Sequence, residues 1–207
     1  MEIVNVMAST LDGKIGANQS ESDSERIEIG ISSEADREFL ESEISKADAI
    51  IVGASSIRAN GQCLEALGRG GKYPHWYVYA TKEISKEFTF WKQAEIPRTI
   101  VSNQGLPSYD AGVELFCYSA NPVIELCMHL ESCGYSRVLL FGGGHLNRMF
   151  YEAGVVKKLR LAISPMILGR LGASDFVSPG LSDPVYFKLT SSRVTEDFIF
   201  LSYDLST

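Results

Sequence analysis

Val138-Leu139-Leu140-Phe141-Gly142-Gly143-Gly144-His145-Leu146-Asn147-Arg148-Met149-Phe150 is the stretch whose reading decides the fold. Four apolar residues read as a buried strand, three glycines as a turn without side chains, and the residues after them as a helix. Such a turn lets backbone N–H groups approach an anion at the positive end of a helix. It reads as a cradle for a phosphate or pyrophosphate, and so for a nucleotide. A plain turn is the alternative reading of the same glycines.

Working outward, the same logic appears earlier in the chain. Asp48-Ala49-Ile50-Ile51-Val52-Gly53 is a short buried strand, and Ala54 to Asn60 reads as a short helix opening from its carboxyl end. Its turn offers Gly53, then the hydroxyls of Ser55 and Ser56, with Arg58 nearby. Two such turns in one sheet suit a ligand with two phosphate groups, such as a dinucleotide. The glycines are contiguous and late in the chain, so this is not the Gly-x-Gly-x-x-Gly fingerprint, and no Gly-Lys-Ser/Thr follows them.

The remaining elements alternate. Glu2 to Ala8 reads as the first strand, followed by the loop Asp12-Gly13-Lys14-Ile15-Gly16, and residues 17–26 as a mobile polar surface loop. Ser32 or Ser33 caps a helix running to about Lys46. Further strands are expected at 76–80, 98–102 and 113–117, with irregular chain over 61–75. Asn121-Pro122 opens a helix that Gly134 closes. Residues 159–168, 185–189 and 193–203 read as longer final strands joined by short turns. The pattern predicts one α/β domain over 1–207, with a mostly parallel central sheet, antiparallel C-terminal strands and helices on both faces.

The chain has 207 residues, enough to bury about 70% of its unfolded surface, with 45% hydrophobic and 22% charged residues. A net charge of −7 argues against a sequence-independent nucleic-acid binder, which needs a basic face. Cys63, Cys117, Cys127 and Cys133 form no Cys-x-x-Cys pair, so neither a metal site nor a disulfide framework is expected. No basic segment followed by an apolar run opens the chain, and no run is long enough to span a membrane, so a cytoplasmic location is expected.

Several segments together resemble a known family. Asn5-Val6-Met7-Ala8-Ser9-Thr10-Leu11-Asp12-Gly13-Lys14-Ile15 is similar to the opening N-x-(A/M)-x-S-L-D-G-K-I of the reductase domain of bifunctional riboflavin-pathway deaminase/reductases. Ile31-Ser32-Ser33-Glu34-Ala35-Asp36 resembles its I-S-x-x-x-D, and Ala47 to Asn60 resembles A-D-A-I-L-V-G-x-x-T-x-x-x-D. The glycine triplet through Glu152-Ala153-Gly154-Val155-Val156, and Ser164 to Gly169, resemble later motifs in the same order. The zinc motif of the deaminase half is absent.

The resemblance implies a dihydrofolate-reductase-like fold and NADPH bound along the strand ends. Ala8, Ile15 and Gly16 would border the nicotinamide, and Gly53, Ser55 and Ser56 would line the nucleotide. Gly142, Gly143, Gly144, His145 and Leu146 would wrap the pyrophosphate. The implied reaction reduces the ribosyl chain of 5-amino-6-(5-phosphoribosylamino)uracil to the ribityl form. Lys14 and Asp12 are the expected catalytic residues, with Lys14 hydrogen-bonding substrate; for Asp12 a turn-holding role is the alternative. Arg58 and Arg69 are candidates for the substrate phosphate, with Asn60 at the substrate side. Thr81 and Ser102 are the possibilities for reading the ribose 2′ position.

Four positions depart from the family pattern. Phe141 stands at the usual glutamate, Asn60 at the aspartate, Ser56 at the threonine and Ile44 at an arginine. These substitutions keep open a paralogous reductase of another small carbonyl, imine or pteridine, and a non-catalytic nucleotide-binding protein. A homodimer is expected, built on Leu159–Ser164 and Phe198–Leu201.

Overall fold

A computed structural model describes residues 1–18 and 20–206. In chain order the elements are β1 (Glu2–Ser9), β2 (Lys14–Gly16), α1 (Asp23–Glu28), α2 (Glu34–Ile44), β3 (Ala49–Gly53), α3 (Ala54–Asn60), β4 (His75–Tyr79), β5 (Arg98–Ser102), β6 (Val113–Cys117), α4 (Pro122–Ser132), β7 (Arg137–Leu140), α5 (Gly144–Glu152), β8 (Val156–Ile163), β9 (Ser174–Asp175), β10 (Phe187–Thr195) and β11 (Phe198–Leu205). Nine strands form one sheet in the order β10-β11-β8-β1-β7-β3-β4-β5-β6. Every pairing from β8 to β6 is parallel, and β11 turns antiparallel against β8 and β10.

The central strands are apolar on both faces because both faces are covered. Alternate residues divide between two cores. Val4, Val6, Ile50, Val52 and Leu139 pack on the side of α2 and α3, with Ile44 and Ile57. Ile3, Ala49, Ile51, Val138 and Leu140 pack on the side of α4 and α5, with Leu126, Leu130 and Phe150. Each fully buried isoleucine or leucine contributes about 1.5–3 kcal/mol of transfer free energy.

The helices start where capping chemistry allows. Ser33 Oγ accepts from the Asp36 amide at α2, and Asn121 Oδ1 accepts from the Val123 and Ile124 amides at α4. Of the loop expected over residues 17–26, Asp23 to Arg26 are helical instead; Gln19 lies outside the described residues. Ser22 and Glu25 form a reciprocal capping box that starts α1.

The carboxyl-terminal strands also differ from expectation. The hairpin turn falls at Glu196-Asp197, inside the stretch read as one strand, and Glu196 adopts φ +54°. An αL residue other than glycine left no signal there. β8 ends at Ile163, five residues early, before Pro165, which has no N–H to extend the ladder. The residues read as a dimer interface are partly spent inside the chain. Leu159, Ala162, Phe198 and Phe200 are all buried.

Candidate functional site

The chain reverses direction across the sheet at the β3/β7 pair. From β3 it passes through α3 on one face to β4, moving outward. From β7 it passes through α5 on the other face to β8, beyond β1. Ligands of open α/β sheets lie outside the carboxyl ends at such a switch point. Both glycine turns sit there, joined by a hydrogen bond from Gly53 N–H to the Gly142 carbonyl at 3.2 Å. A cleft of about 650 Å³ opens above them.

The three glycines of the second turn serve different ends. Gly142 has φ +69°, and a Cβ there would meet Asn147 Oδ1 at 2.6 Å and Met7 Sδ at 2.9 Å. A Cβ on Gly144 would lie 2.3 Å from the Asp175 carbonyl oxygen. Around Gly143 nothing lies within 4 Å of that position. Packing therefore demands glycine at 142 and 144, while 143 leaves the backbone bare toward the cleft.

A buried polar network holds this turn to the first strand. Asn5 Nδ2 donates to the Leu140 carbonyl (2.8 Å) and to Asn147 Oδ1 (3.1 Å), and Tyr151 Oη donates to Asn5 Oδ1 (2.8 Å). Asn147 Nδ2 donates onward to the Phe176 carbonyl at 2.8 Å. Asn5 and Asn147 are both fully buried. Such satisfied networks fix one arrangement of the elements they join.

The loop after β1 closes the cleft from the side. Thr10 N–H donates to the Lys14 carbonyl and Gly13 N–H to the Thr10 carbonyl, so β2 turns back from β1 and pairs with β9. Lys14 Nζ lies 2.5 Å from Asp175 Oδ1, and this carboxylate holds the ammonium pKa above its usual value. Asp175 lines the cleft, whereas Lys14, expected as catalytic, is not among the lining residues.

The Asp12 side chain holds the turn, the alternative the sequence left open for it. Its carboxylate accepts from Thr10 Oγ1 (2.6 Å) and from the amides of Leu168 (3.0 Å) and Gly169 (2.9 Å). The Thr10 hydroxyl first, then those amides, bring its pKa down to about 2. Asp12 thus pins the chain after β8 against the loop after β1 and is absent from the cleft lining.

Ile15, Gly16, Gly53, Ser55, Ser56, Gly142, Gly143, Gly144, His145 and Leu146 do converge on the cleft, as do Arg58 and Asn60. Arg58 donates to the carbonyls of Lys82 and Glu83. Asn60 Oδ1 accepts from the Asp23 amide, tying α1 to α3. Two expected residues lie elsewhere. Ala8 faces the Ala35, Phe198 and Phe200 cluster, and its neighbour Met7 lines the cleft instead, because alternate residues of β1 face opposite sides. Arg69 is at the amino-terminal end of the strands, where it donates to the Lys46 carbonyl and pairs with Asp48 at 3.3 Å. Thr81 lines the cleft, whereas Ser102 is buried and accepts from the Gln104 amide.

Sequence reasoning missed Met7, Arg26, Tyr79, Tyr118, Ser174 and Asp175 among the lining residues. Only Met7 and Tyr79 carried a signal, as residues at the carboxyl ends of strands. Phe141 also lines the cleft and meets the Trp76 ring edge-on at 5.8 Å. The wall next to the glycines is therefore aromatic. Among the described residues no group of three or more His, Cys, Asp or Glu is arranged to hold a metal, and no helix is long and apolar enough to cross a membrane.

A mostly parallel sheet with an antiparallel carboxyl-terminal hairpin, and a cleft framed by two glycine turns at its switch point, define a dihydrofolate-reductase-like domain. The chain belongs to the RibD C-terminal domain family, whose profile matches residues 2–200. No curated protein matches the sequence. Among solved structures, a pyrimidine reductase-like protein from Corynebacterium diphtheriae is 18% identical with TM-score 0.82, covering 100% of this chain and 92% of that one. A diaminohydroxyphosphoribosylaminopyrimidine deaminase/5-amino-6-(5-phosphoribosylamino)uracil reductase from Thermotoga maritima is 19% identical with TM-score 0.79, over 99% of this chain. This chain spans 56% of that bifunctional protein. Dihydrofolate reductase from Enterococcus faecalis, complexed with NADP(H), shares the fold at TM-score 0.62 and 12% identity, covering 100% of this chain and 97% of that one.

Proposed function

We propose that the protein is an NADPH-dependent reductase of riboflavin biosynthesis. It reduces the ribosyl chain of 5-amino-6-(5-phosphoribosylamino)uracil, or a close analogue, to the ribityl form. The observation that carries this reading is the hydrogen-bonded pair Gly53–Gly142 at the switch point, with a bare backbone facing a cleft of about 650 Å³. Two glycine turns that line the cleft, one on each side of the switch, suit a pyrophosphate.

Gly53, Ser55 and Ser56 would hold one phosphate of NADPH and Gly143 to Leu146 the other, with Ile15 and Gly16 beside the nicotinamide. When bound, the cofactor supplies a hydride to C1 of the opened, imine-like sugar. The chain's part is to orient that carbon and to satisfy the charge that changes on the adjoining nitrogen. Lys14 suits this task, because it pairs with Asp175, a residue of the cleft lining, and that carboxylate favours its charged form. The β2–β9 pairing carries both residues, so the donor is held by backbone rather than by a free side chain.

The aromatic wall made by Phe141 favours a second reading, a reductase of the same cofactor acting on a less polar carbonyl, imine or pteridine. The protein acts as one domain over 1–207, and as a homodimer through β10, the outermost strand, where Leu189 and Val194 are exposed. Light scattering that reports a monomer at micromolar concentration removes the dimer.

The test is NADPH oxidation, followed by absorbance, with the ribosylaminouracil phosphate as substrate and NADH as the competing cofactor. Turnover with formation of the ribityl product supports the first reading. Oxidation only with a pteridine or simple carbonyl supports the second. No oxidation and no thermal protection by either cofactor refutes both.

A further inference from the structure

The last strands of the sheet are covered on one face only. Toward α2, Ala162 of β8 and Phe198 and Phe200 of β11 pack with Ala35 and Phe39. The strand registers set the other face. Leu161, Leu201 and Ser192 lie abreast on β8, β11 and β10, and so do Ile163, Ile199 and Val194. Val194 is 67% exposed, Leu189 50% and Ile199 37%. Leu161, Ile163 and Leu201 are half-buried and belong to none of the buried clusters among the described residues. The charged residues of these strands (Lys158, Arg160, Lys188, Arg193 and Asp204) alternate onto the α2 side, where Arg193 lies over the Phe200 ring.

Three strands about 4.8 Å apart and about six residues long make a pleated face of roughly 300 Å². A contiguous apolar patch of that size marks an interaction surface. A stable contact takes about 800 Å² from each partner, so a partner seated there reaches beyond the strands. Past the carboxyl end of β8 the chain offers more exposed apolar side chains. They are Ile167, Leu171 and Leu11, whose amide donates to the Met166 carbonyl.

The occupant that fits is a second copy of this chain. An uncharged face matches itself about a two-fold axis, as an isologous contact requires. The net charge of −7 opposes the meeting of two copies. Yet α2, with five acidic residues and one arginine, covers the opposite face of these strands. Packing the bare faces together turns both acidic helices outward.

We propose that two copies pack face to face on β8, β11 and β10, and that the contact reaches residues 165–171 and steadies the cleft. Asp12 ties that segment, through the Leu168 and Gly169 amides, to the turn leading into Lys14, which pairs with Asp175. The link to the cleft's chemistry rests on the reductase reading; the contact itself does not. Strand-to-strand pairing along the free edge of β10 would leave this face open.

The experiment is sedimentation velocity on wild type, Val194→Glu, Leu189→Glu and Arg193→Gln, with circular dichroism melts to establish folding. Both apolar positions are at least half exposed in the single chain, so the variants fold. Wild type is a dimer at micromolar concentration, and each glutamate raises its dissociation constant about 100-fold by putting a carboxylate in an apolar contact. Arg193→Gln, on the opposite face of the same strand, leaves it unchanged. Trypsin cuts after Arg170 about tenfold more slowly in the wild-type dimer than in Val194→Glu. The proposal is overturned if wild type is a monomer or if the glutamates leave the dimer intact. It is also overturned if Arg193→Gln weakens the dimer as much as Val194→Glu, which would mean edge pairing. Equal cleavage after Arg170 in dimer and variant overturns the reach to residues 165–171. A dimer with that segment protected, but no reductase activity, would refute the reductase reading and leave the contact standing.

Discussion

Gly144→Ala and Gly53→Ala separate what the two turns do for the fold from what they do for a ligand. At Gly144 the added methyl would lie 2.3 Å from the Asp175 carbonyl oxygen, 3.2 Å from Ser178 Cβ and 3.3 Å from the Ser178 nitrogen. The nearest atom is backbone, in a strand paired to β2, so a neighbour must move by roughly 1 Å; overpacking of that kind costs about 1–3 kcal/mol. The lost freedom of the unfolded chain returns about 0.4–1 kcal/mol. The net is a loss of about 1–2 kcal/mol, or roughly 2–8 °C in Tm for a chain of this size.

At Gly53 the backbone is ordinary (φ −78°, ψ 145°), and the methyl would meet Ser55 Oγ at 3.5 Å and the Gly142 carbonyl at 3.6 Å, plain van der Waals contact. Gly53→Ala should keep or slightly raise stability. It places a methyl where a phosphate must approach the backbone, so NADPH affinity should fall by about 10- to 100-fold, the worth of a displaced charge-assisted hydrogen bond. Urea denaturation and NADPH titration of both variants are the assays. A Gly53→Ala protein with unchanged NADPH affinity, or one less stable than Gly144→Ala, would refute the reasoning.

Further outcomes follow from the rest of the site. Asn147→Leu removes the acceptor of Asn5 and the donor to the Phe176 carbonyl in a fully buried place, and should cost about 2–4 kcal/mol in urea denaturation. Asp12→Ala frees the Leu168 and Gly169 amides, so the chain after β8 should become protease-sensitive. Because the folded pKa of Asp12 is depressed to about 2, the stability difference between wild type and this variant is present above about pH 4 and vanishes as pH falls through 2. His75, held between Tyr135 Oη and Thr99 Oγ1, has its pKa lowered by burial to about 4. The unfolded chain then takes up the proton first, so stability falls as pH drops from about 6.5 to 4, by roughly 2–3 kcal/mol. His75→Gln should flatten that slope.

The sheet core was legible because its pattern is strong. The runs Arg98–Ser102 and Val113–Cys117 form strands at the bounds their composition suggests, the run read as Asp48–Gly53 begins one residue later at Ala49, and Asn121-Pro122 with Gly134 brackets α4. Both glycine turns were legible for the same reason, since each follows an apolar strand. What each glycine does was not, because the contacts of an absent Cβ depend on Asn147 and Asp175, far away in sequence. α1 was missed because its helix rests on a capping box and the tether to Asn60 rather than on an apolar stripe, as it buries no side chain. With α1 went Arg26. The surroundings of Asp12 and Arg69 were not legible because a charged residue near a motif carries no mark of whether its partners are ligand or protein. The amides that occupy Asp12 come from residues 168 and 169, more than 150 positions away.

The central claim is that this cleft carries out reduction of the sugar, not merely nucleotide binding. The most direct test supplies NADPH deuterated at nicotinamide C4, in each of the two stereoisomeric forms, with the ribosylaminouracil phosphate, and reads the product by mass spectrometry. The account predicts one deuterium at C1′ of the ribityl chain from one of the two labelled cofactors and none from the other. Bound cofactor that keeps its label, with no ribityl product, would contradict it.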